Sequence, residues 1–123
     1  MVKIPVSQTR YSFSTMTLSL PPSIAAYFDF SNGGDAADIA DLFTRDAVVL
    51  DERQTHQGYD AIQSWRRDAR TKFDYTVTPA SVSRKGDRVE VVATVAGNFD
   101  GSPVQLNHTF ELVDGKIRSL EIR

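Results

Sequence analysis

From Phe73 to the C-terminus the apolar residues of this chain fall at every second position, and that switch to a period of two predicts a second half made of sheet. Tyr75 to Arg84 reads as a strand ending at Lys85-Gly86-Asp87. Val89, Val91, Ala93 and Val95 form one face of the next strand, which turns at Asp100-Gly101-Ser102-Pro103. Val104, Leu106, His108, Phe110 and Leu112 then alternate strictly, Asp114-Gly115 makes a tight hairpin turn, and Lys116 to Arg123 returns as the last strand. Hairpin-linked antiparallel strands of about ten residues are longer than the common strand, and strands of that length twist and curl to cover a core.

What precedes the meander is mostly helical. Pro21-Pro22-Ser23 is a helix entry, after which Ile24, Tyr27 and Phe28 share one face, and Asn32-Gly33-Gly34 ends the helix. Asp35 is placed to cap a second helix with Ile39, Leu42 and Phe43 on its apolar side. Residues 47–51 form the first strand, Gln57-Gly58 a turn, and Asp60 introduces a third helix carrying Ile62, Trp65, Ala69 and Phe73 at helical spacing. Residues 1–20 read as an extended arm ahead of a single domain over 21–123, because Val2, Ile4 and Val6 alternate with polar residues or proline. The order predicts an α+β fold: a cone-shaped, curved antiparallel sheet with three N-terminal-half helices packed on its concave side. A sheet curved over helices in this way leaves a hollow, the kind of place where small-ligand pockets are built.

The charge balance narrows the partners. Fourteen basic against sixteen acidic residues give a net charge of -2, with no basic block for nucleic acid or an anionic membrane. Arg66, Arg67, Arg70 and Lys72 cluster locally, but Asp68 and Asp74 dilute them, as on a solvated helix face. The absence of cysteine removes disulfides, thiol nucleophiles and thiolate metal sites. His56 and His108 belong to no spaced ligand motif, so neither a metal nor another cofactor is expected. Residues 1–16 hold no apolar stretch of signal-peptide length and no run approaches a membrane span, which points to the cytoplasm.

Three phrases, AYFDFSNGGDAADIADLFTRDAVVLDE (26–52), HQGYDAIQSW (56–65) and HTFELVDGKIRSLEI (108–122), taken in this order, resemble the nuclear-transport-factor-2-like superfamily. Within it they resemble the SnoaL-like polyketide cyclase and ketosteroid isomerase group, over nearly everything from Pro21 onward. The resemblance implies a tyrosine on the first helix, a catalytic aspartate at the end of the first strand and a hydrogen-bond donor on the penultimate strand. Tyr27 and Asp51 match the first two. The third falls on Asn107 by ungapped counting and on His108 by alternation, and strand parity favours His108, which shares a face with Leu106 and Phe110. A histidine there departs from the isomerase pattern, whose donor is a protonated carboxylic acid.

Asp51 follows Val49 on one strand face. A carboxylate in apolar surroundings suits a general base that takes a proton from carbon or water; the alternative is the polar end of a strand, paired with Arg53 or an arginine of the third helix. His108, a polar ring in an apolar face, is either an oxyanion donor or proton shuttle, or a core histidine satisfied by a backbone carbonyl. Tyr27 could polarise a carbonyl with its phenol or simply bury its ring. Trp65 and Tyr75 would supply flat walls, with Phe28 beside Tyr27 and Phe110 beside His108 as further apolar contacts, while His56 lies either in an exposed loop or at the pocket. Asp51 and Glu52 are adjacent, so on a strand they point to opposite faces and cannot share one substrate.

Two functions fit. One is a cofactor-free acid–base enzyme of isomerase, cyclase or hydratase type acting on a small, apolar, carbonyl-bearing compound. The other is a non-catalytic ligand-binding or dimerisation module of the same fold. The resemblance also implies a homodimer through the outer sheet face, where Val92, Thr94 and Ala96 lie between Glu90 and Asn98.

Overall fold

A computed structural model of the chain describes residues 19–34 and 38–123. The expected N-terminal arm and the capping role of Asp35 lie outside, or almost wholly outside, those residues. The meander forms as its alternation requires. β3 (Tyr75–Lys85), β4 (Arg88–Gly97), β5 (Val104–Val113) and β6 (Lys116–Ile122) pair antiparallel in sequence order. Asp114 and Gly115 both take positive φ, as a tight hairpin demands.

The strand expected over 47–51 begins earlier, as β1 (Phe43–Asp51), and it pairs parallel with β6. Phe43 therefore leaves the face of the second helix: it is the C-cap of a single short turn, α2 (Ile39–Leu42), and its ring is fully buried at the start of the strand. That turn is capped by Asp38, whose Oδ1 accepts from the Ala40 amide at 3.1 Å.

The segment after Asp51 is also more than a turn. Glu52 and Arg53, both at positive φ, make a two-residue hairpin, and β2 (Gln54–Gln57) folds back antiparallel on β1. Only four polar or half-exposed residues make up β2, so its apolar periodicity is too weak to read. The full order is β2-β1-β6-β5-β4-β3, an open, curved six-stranded sheet. Pro79 is tolerated because β3 is an edge strand with a register shift between Pro79 and Ser81.

α1 (Pro22–Ser31) and α3 (Tyr59–Lys72) pack on the concave side. Ile24, Tyr27 and Phe28 of α1 and Ile62 of α3 meet Val49, Val89, Val91, Phe110 and Leu120, all buried. The end of α1 is tied to the sheet edge by Asn32, which donates from Nδ2 to the Val77 carbonyl at 2.9 Å and accepts from the Val77 amide at 2.7 Å. At the same end of that edge pair, where Tyr75 is its cross-strand partner, Gly97 has to be glycine, because a Cβ there would run into the Asp74 carbonyl and the Tyr75 backbone. Among the described residues no helix is long and apolar enough to cross a membrane.

Candidate active site

Strand register places the candidate residues. Asp51 on β1 is the cross-strand neighbour of Ile122 on β6, and Ile122 is the neighbour of His108 on β5. The next row, Val49–Leu120–Phe110–Val89, is wholly apolar and fully buried. Two steps between adjacent strands put Asp51 and His108 roughly 10 Å apart at the backbone, flanking Ile122. Both face a cavity of about 720 Å³, also lined by Tyr27, Trp65, Tyr75 and Leu106.

Asp51 is half-buried, and its Oδ2 accepts a hydrogen bond from the Trp65 indole N–H at 3.0 Å. The polar partner supplied by α3 is thus the tryptophan rather than an arginine. Among the described residues no cation forms a salt bridge with Asp51, and its Oδ1 has no protein donor. The indole orients the carboxylate without neutralising it.

His108 is 3% exposed and turned inward, whereas Asn107 points outward and is exposed. Its ring is stacked on Phe110 at 6.2 Å and packed by Phe28 at 5.5 Å. Nδ1 lies 3.2 Å from the Leu106 carbonyl. One nitrogen is thus satisfied by a backbone carbonyl, as for a core histidine, and the residue nevertheless lines the cavity. Burial pushes the imidazole below its ordinary 6.5, opposed by the Leu106 carbonyl and the charge of Asp51.

Tyr27 is 1% exposed, with its ring in edge contact with Phe28, Phe43 and Phe110. Burial pushes its phenol far above the ordinary 10.0; a hydrogen bond with Ser31, one helical turn on, pulls the other way, and Tyr75 and Asp51 push further up. Tyr27 therefore stays a protonated donor throughout the neutral range.

Trp65 and Tyr75 both form walls. Phe28 and Phe110 do not reach the cavity: they stand behind Tyr27 and His108, because the row carrying Phe110 is the closed, fully packed end of the sheet. His56 is neither in a loop nor at the cavity. It sits on β2 opposite Val49, half-buried, with its ring 5.9 Å from that of Trp65, so it backs the indole.

The sequence gives less sign of Ser31, Arg66 and Asp100, which also line the cavity. Arg66 and Arg70 are not part of a solvated face. Arg66 donates from Nε to the Phe30 carbonyl at 3.0 Å and lies over the Phe30 ring; Arg70 donates to the Tyr75 carbonyl at 2.6 Å and lies over the Tyr75 ring. A helical period marks where such arginines sit, but not that a backbone carbonyl and an aromatic face wait opposite. Among the described residues no group of three His, Asp or Glu side chains is placed to hold a metal ion.

The family model of the SnoaL-like domain matches residues 24–120. The chain belongs to the SnoaL-like family. Among solved structures, this SnoaL-like chain is 39% identical to a Sinorhizobium meliloti protein assigned to the polyketide cyclases, covering 90% of this chain and 100% of that one with a TM-score of 0.81. A Catenulispora acidiphila protein of ketosteroid isomerase-like fold, solved with trimethylamine, is 19% identical, with 85% and 86% of the two chains covered and a TM-score of 0.71. The epoxide hydrolase/cyclase-like enzyme SalBIII of salinomycin pyran-ring formation is 21% identical, with 81% and 85% covered and a TM-score of 0.65. At these lower identities the likeness is one of fold. Among curated proteins, none matches the chain.

Proposed function

We propose that this SnoaL-like protein is a cofactor-free acid–base enzyme of isomerase, cyclase or hydratase type, acting on a largely apolar, carbonyl-bearing ring compound. The observation that carries it is Asp51: a cavity-facing carboxylate oriented by the Trp65 N–H and free of any salt bridge among the described residues. In the simplest step Asp51 takes a proton from the carbon beside the carbonyl. The C–H electron pair moves to the carbonyl oxygen, and the Tyr27 hydroxyl donates to the enolate so formed. Where the ketone carries a β,γ double bond, the dienolate takes the proton back from Asp51 at the γ-carbon, giving an isomer; otherwise the enolate carbon attacks a second carbonyl, whose oxygen takes up the proton held by Asp51, giving a ring. The polyketide cyclase assignment of the 39% identical relative supports a substrate of this kind.

The test is exchange of α-protons for deuterium in β-tetralone and related bicyclic ketones, followed by proton NMR. Wild-type protein is expected to accelerate exchange and Asp51→Asn to lose most of the acceleration. Ketones that bind without any exchange would instead make the protein a ligand-binding module. Pairing of two copies through the outer face of β4, where Val92, Thr94 and Ala96 are half-buried in the monomer, belongs to the same proposal. A monomer by light scattering at micromolar concentration would remove that part.

A further inference from the structure

The hydrogen-bond partner of His108 fixes which of its nitrogens carries the hydrogen. A carbonyl oxygen only accepts, so the Nδ1 that faces the Leu106 carbonyl at 3.2 Å is the protonated one. In the neutral imidazole, Nε2 then presents a lone pair. Burial favours that neutral form. The ring cannot readily turn over to exchange its nitrogens, because Phe110 stacks on one side and Phe28 and Tyr27 pack against it.

Among the described residues Nε2 has no protein partner. Nor is it sealed away: the one fully buried and unpaired side-chain oxygen or nitrogen among those residues is Ser23 Oγ, elsewhere on α1. Nε2 thus opens to the cavity that His108 lines, as an acceptor. It cannot donate to an oxyanion in this state. That duty falls to Tyr27 alone of the two, so among Tyr27, Asp51 and His108 a ligand meets one donor and two acceptors, with the hydroxyls of Ser31 and Tyr75 and the Arg66 guanidinium also on the cavity wall.

We infer that the cavity is built for a hydroxylated ketone: a ligand whose carbonyl accepts from Tyr27 while a hydroxyl on a neighbouring ring donates to Nε2 of His108. This rests on the acid–base reading of the same site and names its substrate class. A ligand without that hydroxyl, or with it methylated, leaves a buried acceptor unpaired, which lowers affinity roughly tenfold or more.

The test uses ring-hydroxylated β-tetralones and their methyl ethers as probes, with affinities measured by calorimetry for wild type and His108→Phe. At least one hydroxylated isomer is expected to bind the wild type roughly tenfold more tightly than its ether, with the preference gone in His108→Phe, which keeps a flat ring without an acceptor. Long-range proton–nitrogen NMR of the labelled wild type is expected to show Nδ1 protonated and Nε2 bare. A protonated Nε2 at neutral pH, the absence of any hydroxyl preference, or a preference that survives His108→Phe each overturns the inference. Asp51-dependent exchange on ketones of either kind would leave the acid–base proposal standing in that event, whereas loss of exchange would remove both.

Discussion

The Trp65 indole N–H holds Oδ2 of Asp51 at 3.0 Å, joining the middle of α3 to the end of β1 across fourteen positions of sequence. On the proposed mechanism Trp65 acts as a positioning residue, holding one oxygen of the cavity-lining Asp51 carboxylate. Trp65→Phe keeps the flat wall and removes the donor. Turnover of the exchanged ketone is expected to fall about ten- to a hundredfold with little change in KM, since a hydrogen bond to a charged group contributes about 1.5–3 kcal/mol. An equal loss of kcat and thermal stability would reduce Trp65 to a core residue.

Tyr27→Phe deletes one oxygen from a fully packed aromatic cluster. The expected outcome is a fall in kcat of about 10²–10³ with the fold retained, as for loss of one oxyanion donor. Near-ultraviolet circular dichroism establishes that the cluster is intact, and steady-state exchange rates give the effect. A kcat within a factor of two of wild type would take the phenol out of the chemistry.

His108 links the site to pH. Its folded-state pKa lies below the ordinary 6.5, so the unfolded chain binds a proton that the native ring resists. Stability from this residue is therefore complete above 6.5 and is lost as pH falls from there toward the lower folded value. Thermal unfolding of wild type and His108→Phe between neutral and mildly acidic pH is expected to show wild type losing Tm more steeply. Parallel Tm curves would contradict it.

The sheet could be read from sequence because alternation over long strands leaves a chain few other ways to bury Val89, Val91, Phe110 and Leu112. His108 followed for the same reason: parity places it inward wherever its neighbours are buried. β2 could not be read, since Gln54, Thr55 and Gln57 carry no apolar signal and the hairpin rests on positive φ at Glu52 and Arg53, residues with no special preference for it. The Trp65–Asp51 bond, the Arg66 and Arg70 contacts and the tautomer of His108 depend on which atoms meet across distant elements. Periodicity gives the face of a side chain, but not the group opposite.

Asn32 fastens α1 to the edge strand through both polar atoms of its amide, in the manner of one extra strand residue. Asn32→Ala is expected to cost about 1–3 kcal/mol of stability and to speed hydrogen exchange at the Val77 amide, whose acceptor it removes. Unchanged protection at Val77 would show the edge to be held by other contacts.

The role of Asp51 is tested most directly by measuring ketone affinity and α-proton exchange together on wild type and Asp51→Asn. Asparagine keeps the size of the side chain and an oxygen for the Trp65 N–H, but it is a far weaker base. Affinity is expected to stay within about twofold while exchange falls by about 10²–10⁴. Exchange by Asp51→Asn at the wild-type rate would contradict Asp51 as the base.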